Sequence, residues 1–358
     1  MSSSGEKKLR FAIIGAGGIA VRHLDALKKM EDEVELVALA DISEKTMAQR
    51  AKDYDIPVTG CFTDYEEMLA KVQPDAVSIC TPNGLHAPNA IAASKAGAHV
   101  IVEKPMAMTA EQAQEMIDAA NASGKKLVIG FQFRFDPRTQ YLKRAVDDGV
   151  MGDLFFGRVQ AMRRRGIPNW GVFGRKDLQG GGPMIDIGVH MLEQCHYVMG
   201  SPKPVAATGM CRTYIGDQPS DKIHVPWGSW DYQTYTVEDI AVGTIRFENR
   251  ATIHIEASFA AHTEDKLDFE IMGTKGGATW DQPVIRTDDH GHMLDIKPGW
   301  IKSVSFPEYF DLKLRDFVDH VSKGAETMAP AEHGLMVQQM LDGVYRSAES
   351  GGVEVSIG

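Results

Sequence analysis

The sequence predicts an α/β chain: a doubly wound parallel sheet at the N-terminus, then an α+β domain built on a large open, mostly antiparallel sheet. Three observations predict it. From Leu9 to about Gly130, short and nearly continuous apolar runs alternate with helix-like stretches, as successive βαβ units on a sheet covered on both faces require. Beyond Phe131 the runs lengthen and alternate apolar with polar positions, the pattern of half-buried antiparallel strands. The 358 residues also exceed the roughly 100–200 of a typical domain.

The first domain is expected over residues 1–130. Its strands are read at Leu9–Ile14, Glu35–Ala40, Ala76–Cys80, His99–Val102 and Leu127–Gly130, with helices between them. Thr63 with Glu66, and Thr109 with Gln112, fit the capping box in which side chains satisfy orphan amides at a helix start. The second domain, 131–358, is expected to bind substrate and carry the contacts between subunits. It opens with a helix from Arg138 to Asp148 and a strand from Phe155 to Ala161, and after a polar loop a helix runs through Asp186 to Met199. Alternating strands follow at Val205–Thr213, Val237–Phe247, Ala251–Phe259 and Leu267–Met272. One face of their sheet is left to bind substrate or to pair with another subunit. The last helices, near Tyr309–Ser322 and Ala331–Ser350, are expected to pack back onto the body. With no repeat and no low-complexity linker, the junction near 130 is expected to be tight.

The charge balance excludes whole classes of partner. With 38 basic against 49 acidic residues the net charge is −11, which opposes nucleic acid and anionic membrane surfaces. Cys61, Cys80, Cys195 and Cys211 form no CxxC pair, so neither a disulfide framework nor a structural zinc is expected, and a reducing cytoplasm fits. Met1–Lys8 is polar, and the apolar run Phe11–Ile14 is far too short for a signal peptide or a membrane span.

Directly after the first strand stands Gly15-Ala16-Gly17-Gly18-Ile19-Ala20, a G-x-G-x-x-A turn. Gly15 permits the bend, Gly17 lets backbone approach a pyrophosphate, and Ala20 allows close helix packing. The following helix points its amides and positive end toward the phosphates. A glycine turn also closes strand-helix corners that bind nothing, so its context decides. Asp41 ends the second strand, near the offset of about 20 residues at which a carboxylate accepts hydrogen bonds from an adenosine ribose. A negative charge there repels a 2′-phosphate and favours NAD over NADP. The alternative for Asp41 is to cap the next helix, a task open to Ser43 as well. Arg50 lies too far along that helix to count as a phosphate partner.

Thr81-Pro82-Asn83 with His86 follows one strand and Glu103-Lys104-Pro105 the next, both at carboxyl ends, where doubly wound sheets bind ligands. Later, Gly181-Gly182-Pro183-Met184-Ile185-Asp186-Ile187-Gly188-Val189-His190 opens a helix. Together with the glycine turn these segments resemble the Gfo/Idh/MocA oxidoreductases, the family of glucose-fructose oxidoreductase and inositol 2-dehydrogenase, over nearly the whole chain. The resemblance implies a Rossmann domain holding NAD through Gly15, Gly17, Gly18, Ile19, Asp41, Thr81, Asn83, His86, Glu103 and Lys104. It implies a catalytic set of Lys104, Asp186 and His190, and it puts the segment of Arg134 beside the cofactor. Where the family commonly has Asp three residues after the histidine, this chain has Glu193, whose longer side chain leaves a substrate-hydroxyl contact open.

Residue chemistry agrees with that set. Asp186 and His190, four apart on a helix, share one face. Oxidising an alcohol removes the hydroxyl proton as hydride leaves carbon, a transfer suited to an imidazole with an ordinary pKa of about 6.5. Lys104 can hydrogen-bond the same oxygen and stabilise its developing charge. Glu103 either holds that lysine or faces the nicotinamide ribose. Singly, each has a plainer reading, a surface ion pair or a solvated lysine. His190, Glu193, Cys195 and His196 share a helix, but His190 and His196 diverge and no HExxH pattern is present, so no metal is expected.

The loop Arg163-Arg164-Arg165-Gly166-Ile167-Pro168-Asn169-Trp170 is either a solvated turn or a pocket rim. Strand alternation puts Arg163 and Arg165 on one side, where guanidinium donors suit vicinal hydroxyls and Trp170 suits a pyranose face. Arg134 and Glu193 join these as substrate candidates, along with Asp186 and His190. Trp227, Trp230, Tyr232 and Tyr235 suit core packing, a subunit contact or sugar binding alike. The expected activity is NAD-dependent oxidation of a ring secondary hydroxyl of a sugar, a glycoside (at carbon 3) or an inositol, with His190 as base and Lys104 polarising the oxygen. Redox-assisted glycoside cleavage with recycled NAD, and a noncatalytic NAD-responsive regulator, are the alternatives. A homodimer or homotetramer joined through the open sheet is expected.

Overall fold

The computed structural model describes residues 7–219 and 227–358, so most of the polar N-terminal stretch lies outside the described residues. The chain divides into two units. The first takes in the chain up to Ala107, then Glu111–Gln132 and Val304–Gly334; the second takes in Met108–Ala110, Phe133–Ser303 and Leu335–Gly358.

In the first unit strands and helices alternate: β1 Leu9–Ile14, α1 Gly18–Lys28, β2 Val34–Ala40, α2 Glu44–Asp53, β3 Cys61–Phe62, α3 Tyr65–Val72, β4 Ala76–Ile79, α4 His86–Lys95, β5 His99–Val102, α5 Ala110–Ala122 and β6 Leu127–Ile129. The strands form one parallel sheet in the order β3-β2-β1-β4-β5-β6. Succession runs outward in both directions from β1 and β4, so their carboxyl ends flank the switch point. Apolar side chains fill both faces of these strands, and Phe11–Ile14 and Ala76–Ile79 are buried throughout. The expected strands are all present; β3, two residues long, carries no periodicity to detect. The cap of α3 is a correction: Asp64, not Thr63, accepts the amides of Glu66 (2.8 Å) and Glu67 (3.4 Å). The charged side chain next to the first turn takes that position.

The second unit contains α6 Pro137–Asp147, β7 Leu154–Met162, α7 Lys176–Gln179, a π-helical turn Met184–Gly188 and α8 Val189–Val198. Its remaining strands are β8 Pro204–Arg212, β9 Ile240–Phe247, β10 Thr252–Ser258, β11 Lys266–Gly273, β12 Gly276–Thr279, β13 Val284–Asp289, β14 His292–Ile296 and β15 Val355–Ser356. Two long helices close the chain, α9 Phe306–Lys323 and α10 Ala331–Glu349, and α9 falls in the first unit, packed on α1. The sheet runs β14-β13-β12-β11-β7-β10-β9-β8-β15, with β7 and β10 parallel and the other pairs antiparallel. One face is buried; the other carries cross-strand polar pairs, including Arg158 with Glu270 (3.6 Å), Gln160 with Glu256 (3.4 Å) and Thr244 with His254 (3.1 Å). Strand β9 begins at Ile240 rather than Val237, because the Glu238 and Asp239 carboxylates are taken up by backbone amides elsewhere: Asp239 Oδ2 accepts from Tyr214 (2.9 Å) and Gly216 (2.8 Å).

Candidate active site

The carboxyl ends of β1, β2, β4 and β5 are tied to one another. Gly15 has φ +89°, and a Cβ there would stand 2.8 Å from Cys80 C and Thr81 N, so the turn lies against the end of β4 and admits only glycine. Asp41 Oδ2 accepts the Ala16 amide at 2.6 Å, and Oδ1 accepts the Ser43 amide at 2.8 Å. Ser43 itself caps α2 through the Thr46 amide, which leaves Asp41 to the glycine turn. Each carboxylate oxygen keeps a second lone pair, so Asp41 retains acceptor capacity toward a ribose. Arg50 reaches further than its distance along α2 suggested, with Nε 3.4 Å from Ala16 O.

The turn itself has room. No atom lies within 4 Å of a Cβ built on Gly17 or Gly18, both are exposed with Ile19 half-exposed beside them, and no side chain caps α1. Open space in front of uncapped helix amides fits a pyrophosphate. Thr81 and Asn83 are half-exposed, and Asn89 Nδ2 donates to Thr81 Oγ1 at 3.1 Å.

Two residues expected to meet the cofactor are buried and bonded within the protein. His86 is buried, with Nδ1 2.8 Å from Pro105 O and Nε2 2.9 Å from Thr81 O. It lies between the Thr81 and Lys104 segments, its single N–H in the neutral form donating to one of the two carbonyls, and burial holds its pKa below the ordinary histidine value. Glu103 is also buried: it pairs with Lys313 of α9 and, at 2.6 Å, with His23 Nε2 of α1. Ser78 Oγ meets His23 Nδ1 at 2.6 Å. Burial takes the His23 pKa down to about 4, and Lys313 and His23 keep the Glu103 carboxyl well below the usual range despite burial. The sequence reading missed His23 and Lys313. Their signal was a polar residue inside the buried stripe of a helix: Tyr309, Phe310, Lys313, Leu314 and Phe317 on α9. Lys104 itself is half-exposed and follows directly on this fixed carboxylate.

In the second unit, nearly all of residues 181–199 are buried, and Asp186, His190 and Tyr197 stand out as half-exposed. The π-helical turn that carries Asp186 runs into α8, which carries His190, so the two residues keep a common face. The Phe133 ring stands edge-on to His190 with centres 5.0 Å apart. A second missed residue sets this segment: Glu238 Oε2 accepts the Gly182 amide (2.9 Å), and Oε1 accepts the Met184 amide (3.3 Å) and the Tyr345 hydroxyl (2.8 Å). Gly181 and Gly182 permit that approach, since a Cβ on either would fall 2.1 Å from Tyr345 Oη or Glu238 O.

The expected substrate residues separate. Arg134 is wholly buried, with Nε 2.7 Å from Glu193 Oε2 and its guanidinium over the Tyr197 ring, so it and Glu193 form an internal ion pair. Burial outweighs Arg134 and raises the Glu193 pKa to about 7. Arg165 turns toward backbone, with Nη1 donating to Arg164 O (2.7 Å) and Ala261 O (3.2 Å). Alternation fails for these arginines because β7 ends at Met162. Arg163 leans over the rings of Trp227 and Phe259, within electrostatic reach of Asp186. Trp170 is exposed against Trp227. Among the described residues no group of three His, Cys, Asp or Glu is placed to hold a metal, and no helix is long and apolar enough to cross a membrane.

A glycine turn at the switch point of a parallel sheet, with an acidic side chain bonded into it, is the apparatus that binds a dinucleotide, and the class is that of the NAD-dependent oxidoreductases. Within that class the chain belongs to the Gfo/Idh/MocA family. Residues 9–131 match the family's NAD-binding Rossmann fold and residues 143–357 its C-terminal alpha/beta domain. The chain is 38% identical to the D-glucoside 3-dehydrogenase of Escherichia coli over 345 residues, 96% of each chain. It is 26% identical to the myo-inositol 2-dehydrogenase of Thermotoga maritima, covering 92% of each. The solved structure of levoglucosan dehydrogenase in complex with NADH superposes with a TM-score of 0.83 at 22% identity, covering 98% of this chain and 100% of that one.

Proposed function

We propose that the chain oxidises a secondary hydroxyl on the ring of a sugar, a glycoside or an inositol to the ketone. The relatives named for glucoside and inositol dehydrogenation support the substrate class. The observation that carries the chemistry is the emergence of Asp186 and His190 on one face of an otherwise buried segment. NAD, when bound along Gly15–Ile19, Asp41, Thr81 and Asn83, supplies the acceptor for the hydride that leaves carbon. His190 takes the hydroxyl proton, Asp186 orients the imidazole, and Lys104 donates a hydrogen bond to the oxygen as negative charge develops there. Arg163 offers donors to a neighbouring hydroxyl, and Trp170 a flat ring to the part of the substrate beyond it.

Nicotinamide reduction measured across a panel of glucosides, free sugars and inositols tests this reading. The wild type is expected to reduce NAD with a ring polyol, and His190→Ala to lose about 10²–10⁴-fold in kcat, the worth of a positioned base. An undiminished rate in that variant removes His190 from the role. The four cysteines are free thiols, which suits a reducing cytoplasm.

A further inference from the structure

Two indole rings from distant loops meet on the second unit. Trp170 and Trp227 have ring centres 5.1 Å apart and planes inclined at 56°, and they are 53% and 36% exposed. Their neighbours in sequence are used differently. Trp230 is buried and donates its Nε1–H to Gly216 O at 2.6 Å, and Tyr235 is buried with its hydroxyl donating to Glu238 O at 3.0 Å. These two anchor the segment and leave Trp227 presented at its edge. Asn169 Nδ2 donates to the Trp227 carbonyl, which ties the two loops together.

The pair is also tied to the chemistry. Arg163 stands just past the end of β7, its amide donating to Ser258 O at 2.9 Å, and its guanidinium lies 4.6 Å above the Trp227 ring. Such a cation fixes the plane of the indole beneath it. The Arg163 stem curls over Gly166, where a Cβ would come within 2.6 Å of Arg163 Cδ. The π-helical turn bearing Asp186 packs on β7 and β10, and Arg163 directly follows the end of β7. Arg163 therefore joins the indoles to the strand on which the Asp186 turn is packed.

We propose that Trp170 and Trp227 form a subsite for the substituent on the oxidised ring, so that the substrate is a glycoside whose aglycone lays a flat apolar face against the indoles. The proposal rests on the reading of Asp186 and His190 as the place of the reacting hydroxyl. A free sugar or an inositol reaches no further than Asp186 and Arg163; a glycoside extends past Arg163 to the aromatic pair. Indole faces accept an aromatic ring or the C–H face of a second pyranose alike.

Steady-state kinetics of the wild type, Trp170→Ala and Trp227→Ala on free glucose, methyl glucoside, 4-nitrophenyl glucoside and a glucose disaccharide separates the outcomes. The wild type is expected to favour the aryl glucoside or the disaccharide over glucose at least tenfold in kcat/KM. Each variant is expected to lower that ratio about tenfold through KM, with Trp→Phe retaining part of it. A preference confined to the aryl glucoside identifies an aromatic aglycone, and one confined to the disaccharide a second sugar; both support the subsite. A wild type that oxidises sugars without preferring the larger ones, or variants that keep the preference, overturns it. Variants that keep the preference but change the mass in solution make the indoles a subunit contact and likewise overturn it. A wild type that oxidises none of these compounds but does oxidise an inositol overturns the subsite alone; one that oxidises neither these compounds nor an inositol refutes the underlying reading as well.

Discussion

The most consequential single residues in the first unit are buried side chains that hold one another. Glu103 lies between His23 and Lys313 with almost no access to water, so its charge is tolerable only while both partners remain. Removing one partner of a buried pair leaves the other charge uncompensated, and Lys313→Met is expected to cost about 3–5 kcal/mol in urea unfolding. His23 adds a pH dependence. Its pKa in the folded chain is about 4 against an ordinary 6.5, so unfolding takes up a proton between those values. The stability tied to neutral His23 is whole above pH 6.5 and is lost as pH falls toward 4. At about 1.4 kcal/mol per pH unit, acidification from pH 6.5 to 5 is expected to remove about 2 kcal/mol. Urea titrations at the two pH values check the loss, and His23→Gln is expected to remove that share of it. Residues of this kind were hidden in the sequence because burial is decided by tertiary neighbours: 210 positions separate Glu103 from Lys313. For the same reason the buried pairing of Arg134 with Glu193 was hidden. The place of Asp41 beside the glycine turn was legible because the offset between them is fixed by one βαβ unit.

At the scale of elements, the helix that presents Asp186 and His190 depends on a clamp. The sequence showed two polar residues four apart, and that spacing survives in the structure. It did not show that the first turn is π-helical, nor that Glu238 holds the Gly182 and Met184 amides from 56 and 54 residues away. Glu238→Gln keeps one acceptor oxygen but sets an amide NH₂ against a backbone donor, which shifts the turn without emptying the space. A displacement of about 1 Å near the reacting groups costs on the order of 10²-fold in rate. Glu238→Gln is therefore expected to lower kcat by about 10–100-fold with unchanged NAD affinity, read by calorimetry. A rate equal to wild type would leave Glu238 as a folding device only. The strands missed in the sequence, β12 to β15, are short, glycine-bearing or polar on both faces, and their pairing comes from the sheet beside them.

For the molecule as a whole, strand-helix alternation carried the fold. The nearly continuous apolar runs gave the parallel sheet, and the switch to alternation gave the open one. What periodicity could not give was membership: α9 follows the antiparallel strands in sequence yet belongs with the glycine turn. We expect assembly through the free face of the nine-stranded sheet. Because that face carries charged pairs such as Arg158 with Glu270, it is expected to be sensitive to salt. Light scattering at low salt should give at least twice the mass of one chain, falling as salt is raised; one chain mass at every salt concentration would refute the assembly.

The return of residues 304–334 to the first unit also sets an order of events during synthesis. The ribosome delivers the glycine turn, Asp41 and Glu103 early, but the lysine that neutralises Glu103 arrives some two hundred residues later. Until then the nascent dinucleotide fold carries a carboxylate matched by His23 but not yet by Lys313, and an uncovered face on α1 where α9 will lie. Its final maturation waits on the far end of the chain, so the part that is made first is among the last to be finished.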